Sequence, residues 1–101
     1  LNTVLRYIEA NYPNNINNSE LAELVHLSND RFSHLFRESV GMAPLQYINE
    51  VRLKKAMNLL KNGGYTAVQV ADAVGFSDYN NFGRMFKRYY GCTPLEARKG
   101  K

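Results

Sequence analysis

Between Asp78 and Tyr90, Phe82, Met85, Phe86 and Tyr89 recur at helical spacing, which leaves Tyr79, Asn80, Gly83, Arg84 and Lys87 on the opposite side. These side chains suit recognition rather than bond-making. The guanidinium of Arg84 presents paired donors that match guanine O6 and N7, the carboxamide of Asn80 matches adenine N6 and N7, and Tyr79 can meet a thymine methyl or a phosphate. Gly83 cannot read a base directly, and its bare backbone permits a close approach to a groove. Earlier in the chain, Phe32, Leu35, Phe36 and Val40 form a second apolar stripe, which frees Asp30, Arg31, Ser33, His34 and Arg37 on the far side. Arg31 and Arg37 suit phosphate or guanine, His34 can donate to guanine or approach a phosphate, and Ser33 is permissive. Asp30 is awkward beside phosphates: it caps its helix, orients Arg31 or His34, or accepts from cytosine N4, with capping or orienting the preferred expectation.

Bond-making machinery is missing. The sequence has no Gly-rich phosphate loop, no nucleophile within a recognisable motif and no framed pair of acids, so an enzyme is not expected. A single cysteine, Cys92, with only His26 and His34 as imidazoles, gives no metal-site spacing, and neither metal nor cofactor is expected. No stretch approaches the roughly 20 apolar residues that span a bilayer, and the first residues lack the order of a secretory signal. A cytoplasmic protein without a membrane partner is the expectation. At 101 residues with 45% apolar and 22% charged side chains, the chain has the composition of one globular domain.

The formal charge of +4 favours a polyanionic partner, and its distribution says more. Residues 1–50 carry three Lys or Arg against six acids, and residues 51–101 carry ten against three, so the halves stand at −3 and +7. Electrostatic grip on phosphates should therefore concentrate in the second half, with Arg88 beside Lys87 as a phosphate contact.

The elements that must position these residues read as helices throughout. Leu1, Val4, Leu5, Ile8 and Tyr12 form one amphipathic stripe, which stops at Pro13 and the Asn-rich residues 14–18. Ser19 is expected to cap a second helix carrying Leu21, Leu24 and Val25 inward. A third, from Asp30, ends at Gly41. Pro44 opens a long helix over residues 45–62 with Tyr47, Ile48, Val51, Leu53, Ala56, Leu59 and Leu60 inward, closed by Gly63 and Gly64. Thr66 and Gln69 have capping-box spacing ahead of Val70, Ala71 and Val74. The helix from Asp78 follows, and Gly91 and Pro94 repeat the stop and restart of Gly41 and Pro44. No segment alternates with period two, so the fold expected is all-α with about seven helices. Backbone N–H groups near Ser19 and Thr66, at helix starts, are candidate phosphate contacts. Arg52 on the long helix either braces the fold or touches phosphate.

The chain repeats itself. Ala22, Val25 and Ser28 recur as Ala71, Val74 and Ser77 at an offset of 49, and Phe32, Phe36, Gly41, Pro44 and Leu45 recur as Phe82, Phe86, Gly91, Pro94 and Leu95 at an offset of 50. Each copy is a short helix, a tight turn and a longer helix, the layout in which the second helix can enter a major groove. The turn needs a residue tolerant of positive φ, which Gly75 supplies freely and His26 supplies in the first copy. A turn residue, rather than a ligand, is the expected role of His26.

The run from Ala71 to Pro94 resembles the signature of the AraC/XylS family of bacterial transcription regulators. Leu21, Ala22, Ser28, Phe32, Phe36, Gly41 and Pro44 are similar to that family's weaker first motif, and Tyr47, Ile48, Arg52, Leu53, Ala56, Leu59 and Leu60 to its linker helix. The resemblance implies a homeodomain-like, AraC-type DNA-binding domain over residues 1–101, with helix-turn-helix units at 1–44 and 63–101 joined by a linker helix at 45–62. It also implies a monomeric domain that binds double-stranded DNA in a sequence-specific way, most often as an activator, with RNA polymerase as a further partner. His26 stands where the family often has Gly, Gly83 is unusually bare for a reading helix, and Ala97 replaces a bulkier residue before Arg98.

At a rise of 1.5 Å per residue the linker measures about 27 Å. With the offsets of the units added, the two reading helices are expected in successive major-groove segments, about 34 Å apart. Because Leu1 already falls within a helical stripe, the chain reads as a fragment of a longer protein; a sugar-binding barrel or a phosphorylated receiver upstream, through which that protein would dimerise, and no sensing domain at all stay open as alternatives. The rival reading is a helical protein-interaction module that has lost DNA binding; the basic second half speaks against it.

Overall fold

The structure, a computed structural model, describes residues 1–100. Among them are seven helices and no strand: α1 (Asn2–Asn11), α2 (Asn18–Leu24), α3 (Asn29–Val40), α4 (Pro44–Asn62), α5 (Ala67–Val74), α6 (Tyr79–Tyr90) and α7 (Pro94–Gly100). They divide into two compact units, Leu1–Val51 and the residues from Arg52 onward, so α4 contributes to both. Ile48 and Val51 pack into the first core, whereas Leu53, Ala56 and Leu60 are buried in the second unit.

The first core gathers Val4 and Ile8 of α1, Leu21 and Ala22 of α2, and Phe32 and Phe36 of α3, with Leu1, Leu5, Tyr12 and Tyr47 packed around them. Ile16, inside the Asn-rich loop, is also buried there and anchors the loop. The start of α2 differs from expectation. Asn17 is the cap: its Oδ1 accepts from the Glu20 N–H at 2.8 Å, and Glu20 Oε1 accepts in return from the Asn17 N–H at 3.2 Å. The reciprocal pair satisfies two donors that the first turn cannot satisfy itself, which a lone serine at 19 could not do. Ser19 instead lies in the first turn, where its hydroxyl accepts from Asn29 Nδ2 at 3.2 Å and joins the starts of α2 and α3.

Side chains expected inward depart from that place at three positions. Leu24 of α2 is 36% exposed, and Leu35 of α3 is 40% exposed because Phe32 and Phe36, one helical turn apart, already fill the inner face of that helix. Tyr89 is 42% exposed. Tyr90 takes the inner position instead, since it continues the four-residue ridge of Phe82 and Phe86; its ring lies 4.8 Å from that of Phe86 and its hydroxyl donates to the Leu53 carbonyl at 3.5 Å.

The two helix pairs share one turn. In α2–α3 the Leu27 N–H donates to the Ala22 carbonyl at 3.0 Å, and in α5–α6 the Phe76 N–H donates to the Ala71 carbonyl at 2.9 Å. Closing that loop requires a left-handed residue just before the donor. His26 adopts φ 58° and Gly75 φ 108°, as the repeat predicts.

Candidate nucleic-acid interface

In the second unit, Thr66 and Gln69 form the expected reciprocal cap at the start of α5. Asp78 caps α6 through its Oδ1, which accepts from the Asn80 N–H at 3.0 Å. Phe82 and Phe86 are fully buried and Phe76 packs on Phe82 at 5.1 Å, so the rotation of α6 about its axis is fixed. That rotation turns Asn80, Arg84, Lys87 and Arg88 outward, all exposed. Tyr79 is only half free, because its ring also leans on Phe82 at 6.0 Å.

These residues line one groove. Tyr79, Asn80, Gly83, Arg84, Lys87 and Arg88 of α6 form one side, and Thr93, Pro94 and Leu95 the other. The Thr93 segment is held by its own reciprocal cap, in which Thr93 Oγ1 accepts from the Glu96 N–H at 3.1 Å and Glu96 Oε1 accepts from the Thr93 N–H at 2.8 Å. Those bonds, with Lys87 nearby, hold the Glu96 carboxyl below the usual carboxylate range. Arg98 Nε donates to the Tyr65 carbonyl at 2.6 Å and ties α7 to the loop before α5. Lys87 and Arg88 stand in the last turn of α6, where they also offset the helix dipole.

In the first unit, Asp30, Arg31, His34 and Arg37 of α3 are exposed. Asp30 does not cap its helix. Ser28 does, its Oγ accepting from the Arg31 N–H at 3.2 Å, while Asp30 lies in the first turn and complements the helix dipole. Nor does Asp30 orient His34, whose Nε2 lies 3.3 Å from Glu38 Oε2, one turn along. Ser33 is half-buried and donates to Asn18 Oδ1 at 3.4 Å, so its hydroxyl faces α2.

The sequence reading missed Glu38 and the Thr93–Leu95 wall. The spacing of His34 and Glu38 was a readable signal, as was the Thr93 and Glu96 pair, but the groove wall arises only when α7 packs beside α6.

Two similar units, each with a buried aromatic ridge and a polar outer face, point to one group of proteins, and comparison agrees. The family described as a helix-turn-helix domain matches residues 21–100. The HTH-type transcriptional activator RhaS of Escherichia coli (strain SE11) is 31% identical over 101 residues, covering 100% of this chain and 36% of its own length. The chain thus spans about a third of the curated relatives it matches. A probable AraC family transcriptional regulator from Rhodopseudomonas palustris CGA009 has a TM-score of 0.91 at 31% identity, covering 98% of this chain and 94% of that one. The DNA-binding domain of AdpA, a global transcriptional factor solved in complex with a target DNA, has a TM-score of 0.92 at 26% identity, covering 98% of this chain and 89% of that one. With its doubled helix-turn-helix and the match over residues 21–100, this chain belongs to the AraC/XylS family of helix-turn-helix transcription regulators.

Proposed function

We propose that the chain binds double-stranded DNA in a sequence-specific way as the DNA-binding part of a cytoplasmic transcription regulator, an activator that engages RNA polymerase. Each unit supplies one reading helix, α3 or α6, to a major-groove segment. The observation that carries this reading is the groove on α6, where base-reading types (Asn80, Arg84) and phosphate-binding types (Lys87, Arg88) share one exposed face of a helix whose orientation the aromatic core fixes. On α3, Arg31, His34 and Arg37 have the same opportunity. Backbone N–H groups around Ser19, in the first turn of α2, and around Thr66, the cap of α5, supply further phosphate contacts.

Duplex mobility shifts across a salt series test it. DNA binding gives a steep linear fall of log affinity with log salt, from counterion release. On a site selected from a random pool, Arg84→Ala should cost about 1–3 kcal/mol and relax preference at one base pair. A shallow slope, with capture of a protein partner that salt does not displace, would favour an interaction module instead.

A further inference from the structure

Gly83 lies in the interior of α6, yet nothing in the fold asks for glycine there. Its φ is not positive, unlike those of Gly41, Gly75 and Gly91 at helix ends. Apart from its chain neighbours and the backbone of its own helix, a Cβ built on it would meet no atom within 4 Å. Glycine weakens a helix interior relative to alanine, and no internal contact offsets that weakness here. Neither the backbone conformation of Gly83 nor the space around it requires glycine. Gly83 lines the groove between Asn80 and Arg84, facing Thr93, Pro94 and Leu95. The internal repeat places Ser33 at the same position of α3, where the hydroxyl is drawn back to Asn18, so neither unit extends a side chain from this point.

Resting on the reading of α6 as a groove-entering helix, we infer that Gly83 is a specificity-determining position that seats a thymine methyl against bare backbone. Its N–H and C=O are engaged along the helix, so Gly83 offers a ligand only C–H groups. An apolar partner is required, and the apolar group on the major-groove edge of the bases is the thymine C5 methyl. A side chain at 83 would project about 1.5 Å into that space, the length of one carbon–carbon bond, and would lift Asn80 and Arg84 away from the bases they read.

The test uses the 101-residue chain and its selected duplex, with each dT in turn replaced by dU, which lacks the methyl but pairs identically. For the unsubstituted protein, one replacement beside the base pair read by Arg84 should weaken binding about fivefold. Gly83→Ala should raise Tm by roughly 4–8 °C. The same variant should bind the dT duplex about tenfold more weakly and regain most of that loss on the dU duplex. Equal loss on both duplexes, unchanged binding, or a lowered Tm would each overturn the inference. Arg84→Ala separates the two levels of failure. If it weakens binding while Gly83→Ala does not, only the methyl seat is wrong; if neither has an effect, α6 is not the reading helix.

Discussion

The guanidinium carbon of Arg52, in α4, lies 5.8 Å from the centroid of the Phe76 ring, the residue that follows the left-handed Gly75. The long helix thereby supports the turn that sets the direction of α6. Partial burial draws the guanidinium below its ordinary pKa, although it remains charged. Arg52→Ala should cost about 1–2 kcal/mol through the lost cation–π contact and stem packing, read as a lower Tm. The salt dependence of DNA binding should not change. A slope shallower by about one unit would assign Arg52 to a phosphate instead.

A pH dependence follows from Tyr7 and Glu20. The Tyr7 hydroxyl donates to Glu20 Oε2 at 2.7 Å and the Asn17 N–H to Oε1, which holds the Glu20 carboxyl below its ordinary pKa and pushes the Tyr7 phenol up. A carboxyl depressed on folding stabilises above its unfolded pKa and loses that contribution as pH falls through the folded value; a raised phenol loses its contribution only as pH rises through its own folded value. The Tm gap between the native chain and Tyr7→Phe should therefore be widest near neutral pH and close as pH falls below roughly 4. A gap still fully open at about pH 3 would show that the ionised carboxylate is not the partner that matters.

How much of this was legible depended on whether one helix or several held the information. The seven helices and the exposure of Asp30, Arg31, His34, Arg37, Asn80, Arg84 and Lys87 follow from a period of 3.6 within single segments, whereas the half-burial of Ser33 and Tyr79 depends on their neighbours Asn18 and Phe82. The shared turn was legible because Gly75 and His26 both tolerate positive φ. Competition between neighbours was less visible. Tyr89 and Tyr90 stand three and four residues past Phe86, both helical spacings, and it is Tyr90 that packs on Phe86 and reaches the Leu53 carbonyl. Asn17 displaced Ser19 as a cap because Glu20 can return the hydrogen bond to Asn17. The Thr93–Leu95 wall depends on the packing of α7, which no helical wheel of α6 contains.

The charge division between the halves predicts where phosphate binding resides. Lys87 and Arg88 are exposed at the end of α6 and line its groove. Replacing both with Ala should lower affinity on all duplexes and flatten the log–log salt slope by about one to two units, at roughly 0.9 per phosphate contact. The measurement is binding by anisotropy at several salt concentrations on preferred and scrambled duplexes. Loss confined to the preferred duplex would make them base readers, and an unchanged slope would place the electrostatic footprint elsewhere.

If α3 and α6 both read bases, as proposed, their outer faces set the shape of the site. At matched positions α3 offers Asp30, Ser33, His34 and Arg37 where α6 offers Asn80, Gly83, Arg84 and Lys87. Of these pairs only Arg37 and Lys87 are chemically alike. A carboxylate cannot make the bidentate bond that Asn80 offers adenine, and an imidazole does not match guanine with the two parallel donors of a guanidinium. The half-elements should therefore differ in base composition, and one chain should fill the site without a palindrome. Selection from a random pool and a binding stoichiometry measure both. Grafting the second face onto the first, with Asp30→Asn, Ser33→Gly and His34→Arg together, should then change the first half-element toward the bases of the second and leave the second unaltered. Ser33→Gly also removes the bond to Asn18, so a melting curve must show the graft folded. A folded graft that selects the original sequence would mean that α3 does not read bases, and an inverted repeat filled by two chains would mean that the two units do not act together on one site.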